Sequence, residues 1–239
     1  MVTAQTTANC PTFLDLKAFS LDLPAGGSDD PLGRGARILP VRAGDCEVFV
    51  SSVAAGEGLH REERGDTWVM VLEGGLRFLS ADGEIDLVEG ESLVIARGAQ
   101  IGWRASVPVK LVGMRYLAAP DGDAGVYRID NGAPLAPSNP PGDDVLLGEK
   151  PSCRSGNQFT SADAVFKCGV WDSTPYRRLP IHFHHSELMH LLAGSVTFTD
   201  ASGRTASFGK GDTFIIEKGA DCSWDSREYV AKVYAYYRP

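Results

Sequence analysis

Short apolar runs separated by glycine-containing turns fill most of the chain from residue 47 onward. In the first half these runs occupy residues 48–50, 67–72, 76–79, 92–95 and 109–112. Many short strands at this spacing are typical of an antiparallel sandwich or barrel, and no stretch has the period of a long amphipathic helix. The pattern therefore predicts an all-β fold.

The ends of this pattern suggest how the chain is divided. Residues 13–19 carry enough apolar side chains for an edge strand or a short helix, and residues 24–31 form a loop rich in proline and glycine. Residues 131–142 contain four prolines, which neither donate to a strand ladder nor continue a helix. We interpret this segment as a connection between two domains, 1–130 and 131–239.

The two halves match one another in sequence. Gly74 aligns with Gly194, and one residue further along, residues 90–103 align with residues 211–224, both segments ending on tryptophan. Glycines alone align by chance, but a run in one register is harder to explain that way. We predict a single β module used twice.

Composition narrows the functional classes. The net charge of -8 argues against nucleic acid and anionic membrane surfaces as partners, because both call for clustered lysine and arginine. No apolar run approaches the roughly 20 residues that span a bilayer, and residues 1–21 lack the features of a signal peptide. The 5 cysteines are scattered and form no C-x-x-C motif, which is typical of reduced thiols. We expect a soluble, cytoplasmic protein.

Candidate chemistry is concentrated in residues 181–194. Four of the 5 histidines lie there together with Glu187. Imidazole and carboxylate are common ligands of divalent metals and common groups for proton transfer. The cluster is the best candidate for a reactive site, with either kind of chemistry open.

Within and after this cluster the sequence resembles a known family. An apolar strand ending in Leu192-x-Gly194, then a hairpin, then Gly-Asp-x-Phe-x-Ile-x-x-Gly at 211–219, is similar to the two motifs of the cupin superfamily. Residues 169–175, 222–224 and 230–234 resemble its ureidoglycine aminohydrolase-like branch. The resemblance implies a bicupin with two jelly-roll barrels, each with an open mouth, and suggests hydrolysis or isomerisation of a small metabolite.

The metal motif of that superfamily is only partly present. Glu187 stands at the position of its carboxylate and His182 at that of its second histidine. Pro180 replaces the first histidine and Cys222 the late one, and in the first half Thr67 replaces the carboxylate. We therefore expect the N-terminal barrel to be structural or to shape the ligand site.

Two hypotheses follow for the C-terminal barrel. In the first, His182, His184 and Glu187 hold one divalent transition metal (Zn, Ni, Mn or Fe), although strand alternation puts Glu187 on the opposite face from the two histidines. In the second, His185 and Glu187 point together into the barrel and Lys232 pairs with the carboxylate. These last three residues are the catalytic candidates. The alternatives are exposed rim histidines and a structural ion pair.

Three further residues are candidates for substrate binding. Arg178, beside Arg177, is suited to clamp a carboxylate at the mouth, although exposed arginines in turns are common. Trp224 recurs in the first half, which favours core packing over ligand stacking. Cys222 without a metal is most simply a small buried group. His190 faces outward, toward an interface or the surface.

The sequence therefore predicts an enzyme acting on a small polar metabolite, nitrogenous or carboxylated, in the C-terminal barrel. The alternative is a non-catalytic small-molecule-binding protein that uses the same residues for recognition. No P-loop, nucleophile elbow or dinucleotide fingerprint appears. Open sheet edges need covering, so we expect a homodimer.

Overall fold

Four antiparallel sheets and one short helix make up the part of the chain that the computed structural model describes, residues 13–23, 26–27, 29–33, 35–41 and 44–239. The elements up to residue 130 are β1 (Leu14–Asp15), α1 (Leu16–Ser20), β2 (Arg37–Ile38), β3 (Cys46–Val53), β4 (Gly56–Arg61), β5 (Asp66–Glu73), β6 (Gly75–Ser80), β7 (Gly83–Val88), β8 (Ser92–Ile95), β9 (Gln100–Ala105), β10 (Val109–Tyr116) and β11 (Val126–Ile129). The remaining elements are β12 (Ala136–Ser138), β13 (Cys153–Thr160), β14 (Phe166–Ser173), β15 (Tyr176–His182), β16 (Ser186–Ala193), β17 (Ser195–Thr199), β18 (Thr205–Gly209), β19 (Thr213–Ile216), β20 (Asp221–Ser226) and β21 (Val230–Tyr237). The all-β prediction is confirmed.

Each half of the chain contributes one large and one small sheet. In the N-terminal half the strand orders are β11-β8-β5-β10-β3-β2 and β4-β9-β6-β7, and in the C-terminal half they are β1-β19-β16-β21-β14-β13-β12 and β15-β20-β17-β18. One apolar core lies between the two N-terminal sheets and another between the two C-terminal sheets. This face-to-face packing of antiparallel sheets is the jelly-roll arrangement of the predicted fold class.

A third core joins the two halves. It contains Val48 and Met114 from the large N-terminal sheet together with Leu188 and Val233 from the large C-terminal sheet. The central strands of the large N-terminal sheet are therefore buried on two faces, which explains why residues 67–72 and 109–112 read as nearly continuous apolar runs and not as alternating ones. His190, which we expected at an interface or on the surface, is buried and lies against Gly90 of the N-terminal half.

The glycines of the sequence repeat mark tight turns. Gly74 and Gly194 both have a positive φ, of 88° and 73°, in the connection from a large sheet to a small one. A side chain at Gly194 would collide with the carbonyl oxygen of Tyr229. Only glycine combines this backbone conformation with such a close approach.

The N-terminal segment joins the opposite half of the chain. Residues 14 and 15 are in strand and 16–20 in helix, so both predicted alternatives occur side by side. Leu14 pairs with Ile215 and Asp15 with Phe214, at the edge of the large C-terminal sheet. The segment 24–31 has no strand or helix where it is described, and residues 24, 25 and 28 lie outside the described residues.

The connecting segment 131–142 is not wholly irregular, because Ala136–Ser138 pairs with the strand that begins at Cys153. The four cysteines within the described residues are buried and free, and Cys10 lies outside them. No helix in the described residues has the length and apolarity to cross a membrane.

Candidate active site

A cavity of about 550 Å³ opens between the two C-terminal sheets. Residues 138–141 of the connecting segment line one side of it. Its walls are largely aromatic, formed by Trp171, Tyr176, Phe183, Trp224, Tyr234 and Tyr236. Concave, mostly apolar clefts with a few convergent polar groups are the usual form of a small-molecule site.

Strand alternation sorts the residues of β16 and β21 between the cavity and the core behind it. Lys232 lines the cavity, whereas its neighbour Val233 packs into the core that joins the two halves. In the same way Glu187 and Met189 line the cavity, and Leu188 belongs to the core. The interior position of Lys232 thus follows from the two-residue period of its strand.

The ammonium of Lys232 is caged by protein groups of three kinds. Its Nζ lies 2.9 Å from Oε1 of Glu187 and 3.1 Å from the sulfur of Met189. It also lies 4.8 Å from the ring centroid of Trp171 and 5.5 Å from that of Trp224, close enough for cation–π attraction. An ammonium has three donors, so one remains for a ligand in the cavity beyond these two described acceptors.

Glu187 is the carboxylate at the centre of this cage. Burial by itself would raise the pKa of Glu187, but the charge of Lys232 and the contact with His185 more than offset burial and lower the pKa to about 2. Its Oε2 lies 3.6 Å from Nε2 of His185. Glu187 is therefore ionised at neutral pH and acts as an acceptor that holds its two neighbours.

His185 lies at the inner edge of the cavity beside two aromatic rings. Its ring centroid is 4.5 Å from that of Tyr236 and 5.2 Å from that of Phe183. The exposed fraction of its side chain is 22%, compared with 14% for Glu187, so a ligand in the cavity can contact the imidazole. The three residues predicted to be catalytic are thus brought together around one space.

The three residues predicted to bind substrate occupy different environments. Arg178 lines the cavity but is buried, and its Nη1 donates to the carbonyl oxygens of Cys222 at 2.7 Å and Leu179 at 3.2 Å. Trp224 lines the cavity and stacks on Tyr176 at 5.4 Å. Cys222 lies in the core, and burial raises the pKa of its thiol to about 11. A neutral buried thiol is neither a ready metal ligand nor a surface for substrate.

The structure does not bring the predicted metal ligands together. His182 and His184 are exposed, their rings contact each other at 4.9 Å, and Nδ1 of His182 lies 3.1 Å from Oδ1 of Asp221. Glu187 faces the cavity, where Lys232 already neutralises it. Among the described residues no group of three or more histidine, cysteine, aspartate or glutamate side chains is arranged to hold a metal ion. The proposed donor set does not fit a bound metal.

Several cavity residues were missed by reading the sequence. Tyr234 and Tyr236 follow Lys232 at intervals of two, so strand alternation from Lys232 would have found both. Trp171 is the direct cross-strand partner of Lys232, a pairing that the sequence does not reveal. Thr67, which takes the position of Glu187 in the N-terminal half, is buried, and its hydroxyl donates to Oε2 of Glu62 at 2.9 Å.

Comparison with known proteins relates part of the chain to a family and all of it to a known fold. Residues 160–234 match the EutQ-like cupin domain. The chain is 29% identical to a protein of unknown function from Pseudomonas syringae pv. tomato str. DC3000 in the DUF861 family, with a TM-score of 0.81 over 89% of this chain and 92% of that chain. It also superposes on a cupin 2 conserved barrel domain protein from Leptotrichia buccalis, at 9% identity, with a TM-score of 0.64 over 97% and 99% of the two chains. Residues 160–234 thus match a cupin domain, and the chain as a whole has the fold of solved cupin structures.

One solved structure with this fold is an enzyme by its description. A salicylate 1,2-dioxygenase from Pseudoaminobacter salicylatoxidans superposes on this chain with 13% identity and a TM-score of 0.55, over 93% of this chain and 80% of that chain. At this identity the likeness concerns the fold alone. A search of curated proteins gave no match.

Proposed function

We propose that this cupin is an enzyme that binds a small carboxylated metabolite in the C-terminal cavity and transfers a proton on it through His185. The observation that carries the proposal is the caged ammonium of Lys232, which is buried, fixed by Glu187 and aimed into an aromatic cavity. A reactive site needs a polar group held in place before the ligand arrives, and this cage supplies one.

The charges of the cavity favour an anionic ligand. Glu187 offsets Lys232, whereas Arg178 and Lys167, which line the cavity from its two different sheets, add positive charge. The remaining donor of Lys232 suits a carboxylate or carbonyl oxygen, and the aromatic walls suit an apolar body. A small carboxylate with a short apolar part meets both requirements.

The acid–base roles follow from the low pKa of Glu187. A carboxylate with a pKa of about 2 is a weak base at neutral pH, so it orients its neighbours and does not exchange the proton itself. His185 lines the same cavity, with its Nε2 3.6 Å from Oε2 of Glu187, and we assign the proton transfer to its imidazole. Lys232 then stabilises negative charge that develops on the ligand oxygen. Proton transfer next to a carbonyl or carboxylate serves either an isomerisation or a hydrolysis.

We further propose that the chain is a bicupin of the ureidoglycine aminohydrolase-like branch, with its ligand site in the C-terminal barrel. The equivalent large and small sheets of the two halves and the paired glycines at 74 and 194 support this reading. The N-terminal counterpart of Lys232 is Leu111, which is fully buried and apolar. The caged ammonium is thus specific to the second half.

A binding protein without catalysis is the second candidate. The observation that favours it is the full pairing of Glu187, which leaves His185 as the sole predicted catalytic residue suited to exchange a proton with the ligand. The two candidates predict the same ligand class but differ in turnover.

One experiment separates them. A panel of small carboxylates is screened by calorimetry, and any ligand found is incubated with the protein in D₂O while NMR follows loss of its protons. Lys232→Met should abolish binding, whereas the exposed control Lys210→Met should not. His185→Gln should bind but stop exchange, with His184→Gln as its matched control. Binding without exchange in the wild type would favour the second candidate, and binding by Lys232→Met would reject the proposed site.

A further inference from the structure

The N-terminal half contains a second group of buried charges. It lies beneath residues 29–33, here called the strap, and consists of Glu47, His60, Glu62, Thr67 and Arg115, here called the cup. Arg115 is only 1% exposed, and Glu62 is fully buried. Charges at this depth are costly unless each one is paired, so every contact within the cup matters energetically.

The guanidinium of Arg115 organises the cup. Its Nε donates to Oγ1 of Thr67 at 2.8 Å, and its Nη1 donates to Oε1 of Glu47 at 2.7 Å. Its Nη2 is shared between Oε2 of Glu62 at 3.3 Å and the carbonyl oxygen of Leu32 at 2.5 Å. The strap therefore supplies one of the oxygen atoms that accept hydrogen bonds from Arg115, the carbonyl oxygen of Leu32.

The strap also supplies a carboxylate. Oδ2 of Asp30 lies 3.1 Å from Nδ1 of His60, whose Nε2 faces Glu62 at 3.6 Å. Burial would lower the pKa of His60, but the contacts with the two carboxylates raise it to about 9, so the ring is a cation at neutral pH. Oδ1 of Asp30 accepts the backbone N–H of Leu32 at 3.0 Å, which fixes the carboxylate over the cup.

The charge balance shows what Asp30 contributes. With Arg64, which donates to Glu47, the cup holds three cationic side chains and two carboxylates of its own. Asp30 brings the third carboxylate and makes the group neutral. Without Asp30, Nδ1 of His60 and the backbone N–H of Leu32 lose the acceptor that they share, and a small monocarboxylate supplies two oxygens in its place.

We propose that the cup is a second carboxylate-binding site, which the strap occupies from within the chain through Asp30. A carboxylate from solution binds there when the carboxylate of Asp30 is absent or displaced. The site is separate from the C-terminal cavity and does not depend on the function proposed for that cavity.

The experiment removes Asp30 and supplies acetate. Asp30→Ala and the exposed control Asp29→Ala are titrated with sodium acetate against sodium chloride at equal ionic strength, following the melting temperature and the NMR linewidth of ¹³C-acetate. We expect saturable acetate binding and a rising melting temperature for Asp30→Ala. The wild type should bind at least about tenfold more weakly, because its own strap competes. Asp30→Ser, whose hydroxyl can still accept the N–H of Leu32 but leaves most of the space of the carboxylate open, replaces the alanine variant if that variant does not fold.

Two additional variants locate the effect. His60→Gln in the Asp30→Ala background should remove acetate binding, whereas Lys232→Met combined with Glu187→Gln, which removes the ammonium of the C-terminal cavity, should leave it unchanged in the same background. An acetate response of Asp30→Ala and Asp30→Ser no larger than that of Asp29→Ala would overturn the proposal. A response lost with the Lys232→Met and Glu187→Gln pair would assign the acetate to the C-terminal cavity and would also overturn it.

Discussion

Replacing Lys232 by methionine tests the buried ion pair on which the candidate site depends. Methionine keeps most of the stem that packs between Trp171 and Trp224 but removes the ammonium. Glu187 would then be a buried carboxylate with 14% of its side chain exposed and no lysine beside it. We expect a large loss in the free energy of unfolding at neutral pH.

The magnitude can be worked from the pKa of Glu187. The pKa falls from an ordinary 4.5 to about 2 in the folded protein, which at neutral pH corresponds to about 3 kcal/mol of stability. Losing one partner of a buried pair typically costs about 3 to 5 kcal/mol, in agreement with this figure. We therefore expect Lys232→Met to lower the free energy of unfolding by about 3 to 4 kcal/mol at pH 7.

The sign of the pH dependence is part of the prediction. In the wild type the contribution of Glu187 is fully present above pH 4.5 and is lost as the pH falls toward 2. In the variant, burial acts without Lys232 and raises the folded pKa, so ionisation of Glu187 penalises the folded state as the pH rises. The difference between wild type and variant should therefore shrink as the pH is lowered from 7 toward 4.

Urea unfolding followed by tryptophan fluorescence at several pH values measures this difference. Adding Glu187→Gln to Lys232→Met removes the buried charge and should restore more than half of the lost free energy at pH 7. A loss below about 1 kcal/mol that is the same at pH 7 and pH 5 would refute the reasoning, because it would mean that water already solvates Glu187.

Three other predictions concern single features of the fold. Burial lowers the pKa of His190 to about 4, so the folded state should lose about 3 kcal/mol of stability as the pH falls from 6.5 to 4. His190→Gln should remove this loss and flatten that part of the stability profile measured by urea unfolding. Gly194→Ala should cost at least about 2 kcal/mol in urea unfolding, because of its positive φ and the collision with the carbonyl of Tyr229. Replacing His182 and His184 together by alanine should change the free energy of unfolding by less than about 1 kcal/mol and leave the metal content of protein purified without a tag unchanged, since both are exposed.

Each of these has a clear control. His184→Gln should leave the pH profile as it is, and a profile equally steep in His190→Gln would disprove the assignment. Gly203→Ala also alters a glycine with positive φ, but a side chain there meets open space, so it should cost less than Gly194→Ala. Stoichiometric metal that disappears when His182 and His184 are replaced would show that these histidines bind it after all.

The fold was predictable because its signals are local. Runs such as 67–72 and 109–112 lie inside strands β5 and β10, and the repeated glycines fall in the turns that the repeat predicted. The ion pair of Lys232 and Glu187 could also be predicted from the sequence, because alternation on β16 and β21 directs both side chains inward.

The rest depends on contacts between distant parts of the chain. The pairing of Trp171 with Lys232 and the reach of Arg178 to the carbonyl of Cys222 depend on strand register. Strand register cannot be read from either strand alone. The contact of Asp30 with His60 depends on the path of a loop without regular structure across the N-terminal sheets. No periodic pattern encodes that path, so the sequence analysis did not predict the cup.

The strand at Leu14 and Asp15 ties the beginning of the chain to its last strands. Phe13 extends this tie, packing on Phe198 and Phe208 beneath the same sheet. During synthesis this segment is made about 200 residues before its partner β19. A fragment starting at residue 131 would expose the edge of β19 as a template for self-association. Dividing the gene between the halves should therefore give a C-terminal product that aggregates unless residues 13–20 are supplied alongside it.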